Sequence, residues 1–213
     1  MTKPYYAFTD YADAVWDAMN SVDKNMLDIA ANTLLDTFVR NRTVYVCGNG
    51  GSAAIANHLT CDCMKGVAMD RGTGATLKVH SLARRATFKV HSLACNVPLI
   101  TAIANDIGYE EVFSRQLEWL SPNMYDVLIV ISSSGNSPNI VKAINTAIEK
   151  NMRVISITGF DEYNKATQMA DCSIHIKSDN YGVIEDVSQS VMHYIAQTLR
   201  RTLSDKNPEE IKY

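Results

Sequence analysis

His58 and Asp62 stand four residues apart in SAAIANHLTCDCMK, and Glu185 and His193 stand eight apart in VIEDVSQSVMHYIAQ. If both stretches are helical, each pair shares one helix face. Should the two helices converge, His58, Asp62, Glu185 and His193 form a cage of two imidazoles and two carboxylates. That set suits zinc or another divalent ion. The plainer alternative keeps His58 as a hydrogen-bonded helix residue and His193, between Met192 and Tyr194, as a core histidine.

Two turns add a different chemistry. In CGNGGSAAIAN (47–57), Gly48, Gly50 and Gly51 precede Ser52, where a helix begins. Glycines let backbone N–H groups approach a ligand, and the positive end of a helix favours an anion such as phosphate. The alternative is a tight turn with Ser52 as a simple cap. No lysine follows the last glycine and the full dinucleotide spacing is missing, so no nucleotide cofactor is expected. In SSSGNSPN (132–139), Ser132, Ser133, Ser134 and Ser137 crowd one strand end. A helix cap needs only one hydroxyl, and Pro138 is harmless in a first helical turn. A solvated serine loop is the alternative; four hydroxyls with exposed N–H groups better match the oxygens of a phosphate ester.

The elements that must position these residues follow from periodicity. SVDKNMLDIAANTLLDTFVRN (21–41) reads as a helix with Ser21 as N-cap. TVYVCG (43–48) reads as a strand ending at the first glycine turn. DVLIVI, then MRVISITGFD (152–161) and DCSIHIKS (171–178), read as further strands, and 183–203 as a long helix. Tyr109, Glu110 and Glu111 are expected to start the EEVFSRQLEWL helix. Near-continuous apolar strands alternating with helices predict an α/β three-layer sandwich with a parallel sheet. Ligands then bind beyond the carboxyl ends of the strands, where both turns fall. No linker divides residues 1–213, so one domain is expected, with a frayed polar tail from 204 onward.

ATLKVHSLA (75–83) is followed by ATFKVHSLA (86–94), differing only at Leu77 and Phe88. The second copy leads into CNVPLITAIANDIGYE and is expected to be the sheet strand. Residues 75–85 then form an insertion, and near-identity also permits a swap of the two copies. His80, His91 and His175 sit in strand-like patterns and are expected to be structural.

Charge and composition exclude other classes. The net charge is −3 with no basic run, which argues against a nucleic-acid face. The longest apolar stretches are too short to cross a bilayer, and no signal core opens the chain. Five cysteines, an odd count, fit a reduced cytoplasmic setting.

GNGGSAAIANHL, TAIANDIGYEEVFSRQL (101–117), DVLIVISSSGNSPNIVKAI and VISITG, in this order, resemble the sugar isomerase (SIS) domain family. Within it they look most like the phosphoheptose isomerases, over roughly residues 20–203. The resemblance implies a five-stranded parallel sheet, a sugar-phosphate ligand and a homotetramer with active sites completed across subunits. Asn49, Gly50, Gly51 and Ser52 would line the sugar site. Ser132, Ser133, Ser134 and Ser137 would hold the phosphate, and Asp106 would contact sugar hydroxyls. Asp62 and His193 match the acid–base pair of an aldose–ketose isomerase acting on sedoheptulose 7-phosphate, in heptose synthesis for surface polysaccharides. Glu185 would orient the sugar or join His58, Asp62 and His193 around zinc.

Four departures accompany the resemblance. Asp62 replaces the family's Glu, Glu185 replaces a Gln, and Gly182 replaces an acidic residue. The basic residue after the first-turn helix has no counterpart. They leave two alternatives open: an isomerase of another phosphosugar, or a non-catalytic tetrameric SIS protein of the kind that binds the replication initiator.

Overall fold

The computed structural model describes residues 7–66 and 88–204. The chain runs α1 (Phe8–Asn20), α2 (Lys24–Val39), β1 (Thr43–Gly48), α3 (Gly51–Cys61), β2 (Lys89–Ser92), α4 (Val97–Asp106), α5 (Ser114–Leu120), β3 (Val127–Ser132), α6 (Pro138–Glu149), β4 (Arg153–Thr158), α7 (Lys165–Met169), β5 (Cys172–His175) and α8 (Tyr181–Leu203). A π-helical turn, Asp62–Gly66, extends α3, and a 3-10 turn, Tyr109–Glu111, precedes α5.

The five strands form one sheet in the order β2-β1-β3-β4-β5, every pairing parallel. Parallel strands need crossovers, and the helices supply them on both faces. Alternation along each strand divides the core. Val44 and Val46 of β1, with Ile129 and Ile131 of β3, face α2, α3 and α8, meeting Leu34, Phe38, Leu59 and Leu199. Tyr45, Cys47, Leu128 and Val130 face the opposite layer, meeting Ile103 of α4, Leu117 of α5 and Ile144 of α6. Truncating one of these buried leucines or isoleucines to alanine would cost about 2–5 kcal/mol. The expected three-layer architecture is present, with helices at both ends of the described chain.

The second copy of the repeat is the edge strand: Val90 pairs with Val44, and Ser92 with Val46. Phe88, where this copy differs from the first, is buried and stacks on Phe38 of α2 with ring centres 5.3 Å apart. The first copy, the insertion 75–85 with it, and His80 lie outside the described residues, as does the tail beyond 204.

Two local expectations are corrected. Ser21 does not start the second helix. It ends α1, donating to the Ala18 carbonyl and accepting from Lys177 N, while Asp23 caps α2 through Asn25 N. Asp23 lies next to the first residue of α2, where a side-chain oxygen reaches the free N–H groups. The EEVFSRQLEWL helix does not start at 109–111: those residues form the 3-10 turn, and the α-helix begins at Ser114. Glu110 and Glu111 are drawn instead to Lys142 of α6, 3.7 and 2.6 Å away. His91 of β2 stacks on Tyr45, and His175 of β5 contacts Thr158 Oγ1 at 3.3 Å, structural roles as expected. All five cysteines are free. Burial drives the Cys47 and Cys63 thiols strongly upward and lifts Cys172 to about 11, so none of these three is a ready thiolate.

Candidate active site

Strand order reverses between β1 and β3, one neighbour leading to β2 and the other to β4. The crevice beyond such a switch point is the general ligand site of open parallel sheets. Both polar turns emerge there. Gly50 adopts φ 55°, a left-handed conformation that turns the chain from β1 into α3. Gly51 leaves room for α8: a methyl at this position would collide with the Glu185 carboxylate.

The resulting pocket is lined by Asn49, Ser52, Ser132, Ser133, Ser134, Ser137, Tyr181 and Glu185. The first turn and the serine turn are fastened together. Asn49 Nδ2 donates to Asn139 Oδ1 at 3.0 Å, and Asn139 Nδ2 donates back to Asn49 Oδ1 at 2.8 Å. Tyr109 adds its hydroxyl to Asn49 Oδ1 at 3.0 Å. Within the serine turn, Ser132 Oγ accepts from Gly135 N and Ser134 Oγ from Asn136 N. Ser137 precedes Pro138 at the start of α6, and its hydroxyl makes no capping bond. The positive ends of α3 and α6 both open on this pocket. It offers hydroxyl and amide donors to an anion and contains one carboxylate, Glu185.

Further along the same two helices lies a closed polar ring. His193 Nδ1 is 3.2 Å from Asp62 Oδ2, and His58 Nε2 is 3.5 Å from Asp62 Oδ1. On the other side, Gln189 Nε2 lies 2.8 Å from His58 Nδ1 and 3.0 Å from His193 Nε2. The imidazoles meet edge to face, centres 4.9 Å apart. Asp62 opens the π turn, a kind of helical irregularity frequent at functional sites. Although one methylene shorter than glutamate, it reaches both rings. A cavity of about 230 Å³ lies against Asp62 and His193, walled by Gly66, Ala196, Gln197 and Arg200.

Three of the four expected metal donors therefore converge. His58, Asp62 and His193 each offer a ligand atom, all within 4.8 Å of one another. Two imidazoles and a carboxylate, with further positions open, fit a catalytic zinc-type ion. Glu185 is not among them, because it turns into the serine pocket against Gly51. Asp106 joins neither group: it is exposed at the end of α4 and takes a hydrogen bond from Asn105 at 2.7 Å. Of the remaining expected residues, Asn49, Ser52 and the four serines line one pocket, and Gly50 and Gly51 form the turn between Asn49 and Ser52. Gln189, Asn139 and Tyr181 were missed. Gln189 was legible, since it lies four residues from both Glu185 and His193 on one helix face. Asn139 carried no such signal, because its partner is 90 residues away.

Residues 7–159 match the model of the SIS domain. A phosphoheptose isomerase of Helicobacter pylori strain P12 is 33% identical over 200 residues, 94% of this chain and 95% of its own. One from Shewanella frigidimarina is 31% identical over 92% of this chain and 93% of its own. The solved phosphoheptose isomerase GmhA of Neisseria gonorrhoeae superposes with a TM-score of 0.74 at 27% identity, covering 90% of this chain and 94% of that one. With one family model spanning the first four strands and both polar turns, and full-length relatives extending the match through α8, the chain belongs to the SIS domain family, in its phosphoheptose isomerase branch.

Proposed function

We propose that this protein is an aldose–ketose isomerase that converts sedoheptulose 7-phosphate to D-glycero-D-manno-heptose 7-phosphate. The observation that carries the reading is the spacing of its two polar groups along α3 and α8. Glu185 of the pocket and His193 of the ring are eight residues apart, about 12 Å along a helix. Ser52 and His58 are six apart, about 9 Å. An extended seven-carbon phosphate ester, with bonds near 1.5 Å, is about 10 Å long. Phosphate seated among the serines therefore lets C1 and C2 of a heptulose approach His58 and His193, the near side of the ring that holds Asp62, while a triose phosphate falls short.

Isomerisation moves a proton between C1 and C2 through an enediol and exchanges protons on the two oxygens. The Asp62 carboxylate, an acceptor, suits removal of the carbon-bound proton. His193 can accept and donate through Nε2, exchanging its Gln189 contact for the sugar oxygens, while Asp62 holds its ring through Nδ1. Asn49 and the serines fix the chain so that the reacting carbons stay near these groups. A divalent ion held by His58, Asp62 and His193 would polarise the substrate carbonyl.

The working form is a cytoplasmic homotetramer whose neighbouring subunits complete the sites. Phe8 and Trp16 of α1 are 83% and 65% exposed, with Met19, Ile29 and Tyr194 nearby in the same helical layer. Uncovered aromatic surface of this kind supports association between copies. Asp106, outside its own pocket, is then available to a neighbour. The product supplies heptose for surface polysaccharides.

The test is NMR in D₂O with C5 to C7 ketose and aldose phosphates. Deuterium entering C1 or C2 of sedoheptulose 7-phosphate, with heptose 7-phosphate appearing, is expected. Silence across the panel, with zinc supplied, would overturn the reading in favour of a non-catalytic sugar-phosphate-binding protein.

A further inference from the structure

We infer that Gln189 is the shared outer partner of both metal-ligating histidines, and that its side-chain amide turns end for end when an ion binds. The inference rests on the reading of His58, Asp62 and His193 as an ion site. Each imidazole has one nitrogen toward Asp62 and the other toward Gln189. His58 presents Nε2 to Asp62 and Nδ1 to Gln189. His193 presents Nδ1 to Asp62 and Nε2 to Gln189. One amide thus serves two rings.

Proton counting fixes what that amide must do. A neutral imidazole carries one N–H and one lone pair. If both N–H groups turn toward Asp62, 3.2 and 3.5 Å away, both lone pairs face Gln189, and only its NH₂ group can satisfy them. The structure sets Gln189 Nε2 between the rings, as this arrangement requires. An ion shared by Asp62 and the nitrogens nearest it takes those nitrogens' lone pairs. Both N–H groups then face Gln189, which must offer its carbonyl oxygen instead. A half-turn of the terminal amide supplies it without moving the helix, since the two ends are nearly equal in size. Ligating histidines regularly donate their second N–H to such an acceptor, which fixes the ring and raises its basicity as a ligand. The usual acceptor is a carboxylate or carbonyl, one per ring. A single glutamine can satisfy both the ion-bound and the ion-free arrangement because it is donor at one end and acceptor at the other.

Glu185, one turn earlier on α8, has no part in this. Its carboxylate is held against Gly51 in the serine pocket.

The test is the affinity of the full-length protein for Zn²⁺ and Co²⁺, measured by chelator competition, with the Co²⁺ absorption spectrum as a second readout. Gln189→Leu keeps the bulk and removes both ends; affinity is expected to fall about 10- to 100-fold, the range for lost outer-shell partners. Gln189→Glu keeps an acceptor and is expected to hold the ion at least as tightly as the parent chain. Its rescue, with unchanged melting of both variants, separates this role from a packing defect. Glu185→Gln is expected to stay within about twofold, well under the outer-shell range. The inference is overturned if Gln189→Leu binds as the parent does, if Glu185→Gln shows the loss instead, or if the parent chain binds neither ion more tightly than His58→Ala. Turnover of sedoheptulose 7-phosphate, followed in parallel, separates the two readings. Gln189-dependent ion binding without turnover sinks the isomerase and keeps this inference; turnover with ion binding indifferent to Gln189 does the reverse.

Discussion

Asn49 and Asn139, 90 residues apart in sequence, exchange two side-chain hydrogen bonds of 3.0 and 2.8 Å. This reciprocal pair joins the glycine turn after β1 to the serine turn after β3. Asn139 is 1% exposed, so its amide depends on this partner. Asn49→Ala is expected to cost about 1–3 kcal/mol by leaving the buried Asn139 amide N–H without its partner. Because the cost falls on the pocket's geometry, KM for the sugar phosphate should rise with it. Urea unfolding and steady-state kinetics on the same variant check both parts.

Gly51→Ala places a methyl into the Glu185 carboxylate. Overpacking of this kind costs about 1–3 kcal/mol. Shortening the obstructing group should relieve it, so Gly51→Ala with Glu185→Ala is expected to be more stable than the sum of the single changes. A double-mutant cycle by thermal unfolding reads the coupling. Additive effects would mean that Glu185 is not held at this position.

A carboxylate among four serines repels a phosphate dianion. Glu185→Gln removes the charge and keeps the shape, so the affinity for inorganic phosphate should rise severalfold. Titration calorimetry at fixed ionic strength measures it, since added salt weakens the effect.

Asp62→Asn keeps the size of the side chain and removes its ability to take a proton. A fall in kcat of about 10² to 10⁴ is expected for loss of an acid–base group, with His193→Ala in the same range. Deuterium exchange at C1 or C2 should fall in parallel. A change confined to KM would reduce Asp62 to a binding role.

His175 supplies a pH dependence away from the site. Burial pushes its imidazole below the ordinary value of 6.5. The unfolded chain therefore binds a proton more readily than the folded one, and stability rises with pH across this window. The contribution is present above pH 6.5 and is lost as pH falls through the lowered folded value. Urea unfolding between pH 7.5 and 5.5 should show a shallower loss for His175→Asn than for the parent chain.

Much of this architecture was legible because it is local. TVYVCG reads as a strand and is one, residue for residue, since β-branched alternation and a terminal glycine are near-neighbour signals. The serine turn was readable for the same reason. His58 and Asp62, and His193 beyond Glu185, could be paired by helical spacing alone. Which way Glu185 turns could not be read, because the space left by a glycine on another helix decides it. Asp23 outcompeted Ser21 as the cap of α2 through a backbone break that the periodicity of 21–41 does not reveal. The second strand copy carries Phe88, whose partner Phe38 lies fifty residues earlier, a contact that near-neighbour patterns do not reveal.

The ring of Asp62, His58, Gln189 and His193 has a consequence for when the protein becomes active during its synthesis. Its two sides are 131 residues apart in the chain, and the later side sits on α8, the last described helix. Strands β1 to β5 and their crossovers emerge from the ribosome before α8 does, so the sheet can be assembled while the imidazole pair is still incomplete. The imidazole pair is then completed only once α8 has been made, and a chain broken anywhere upstream of α8 keeps the sheet's strands without the ring.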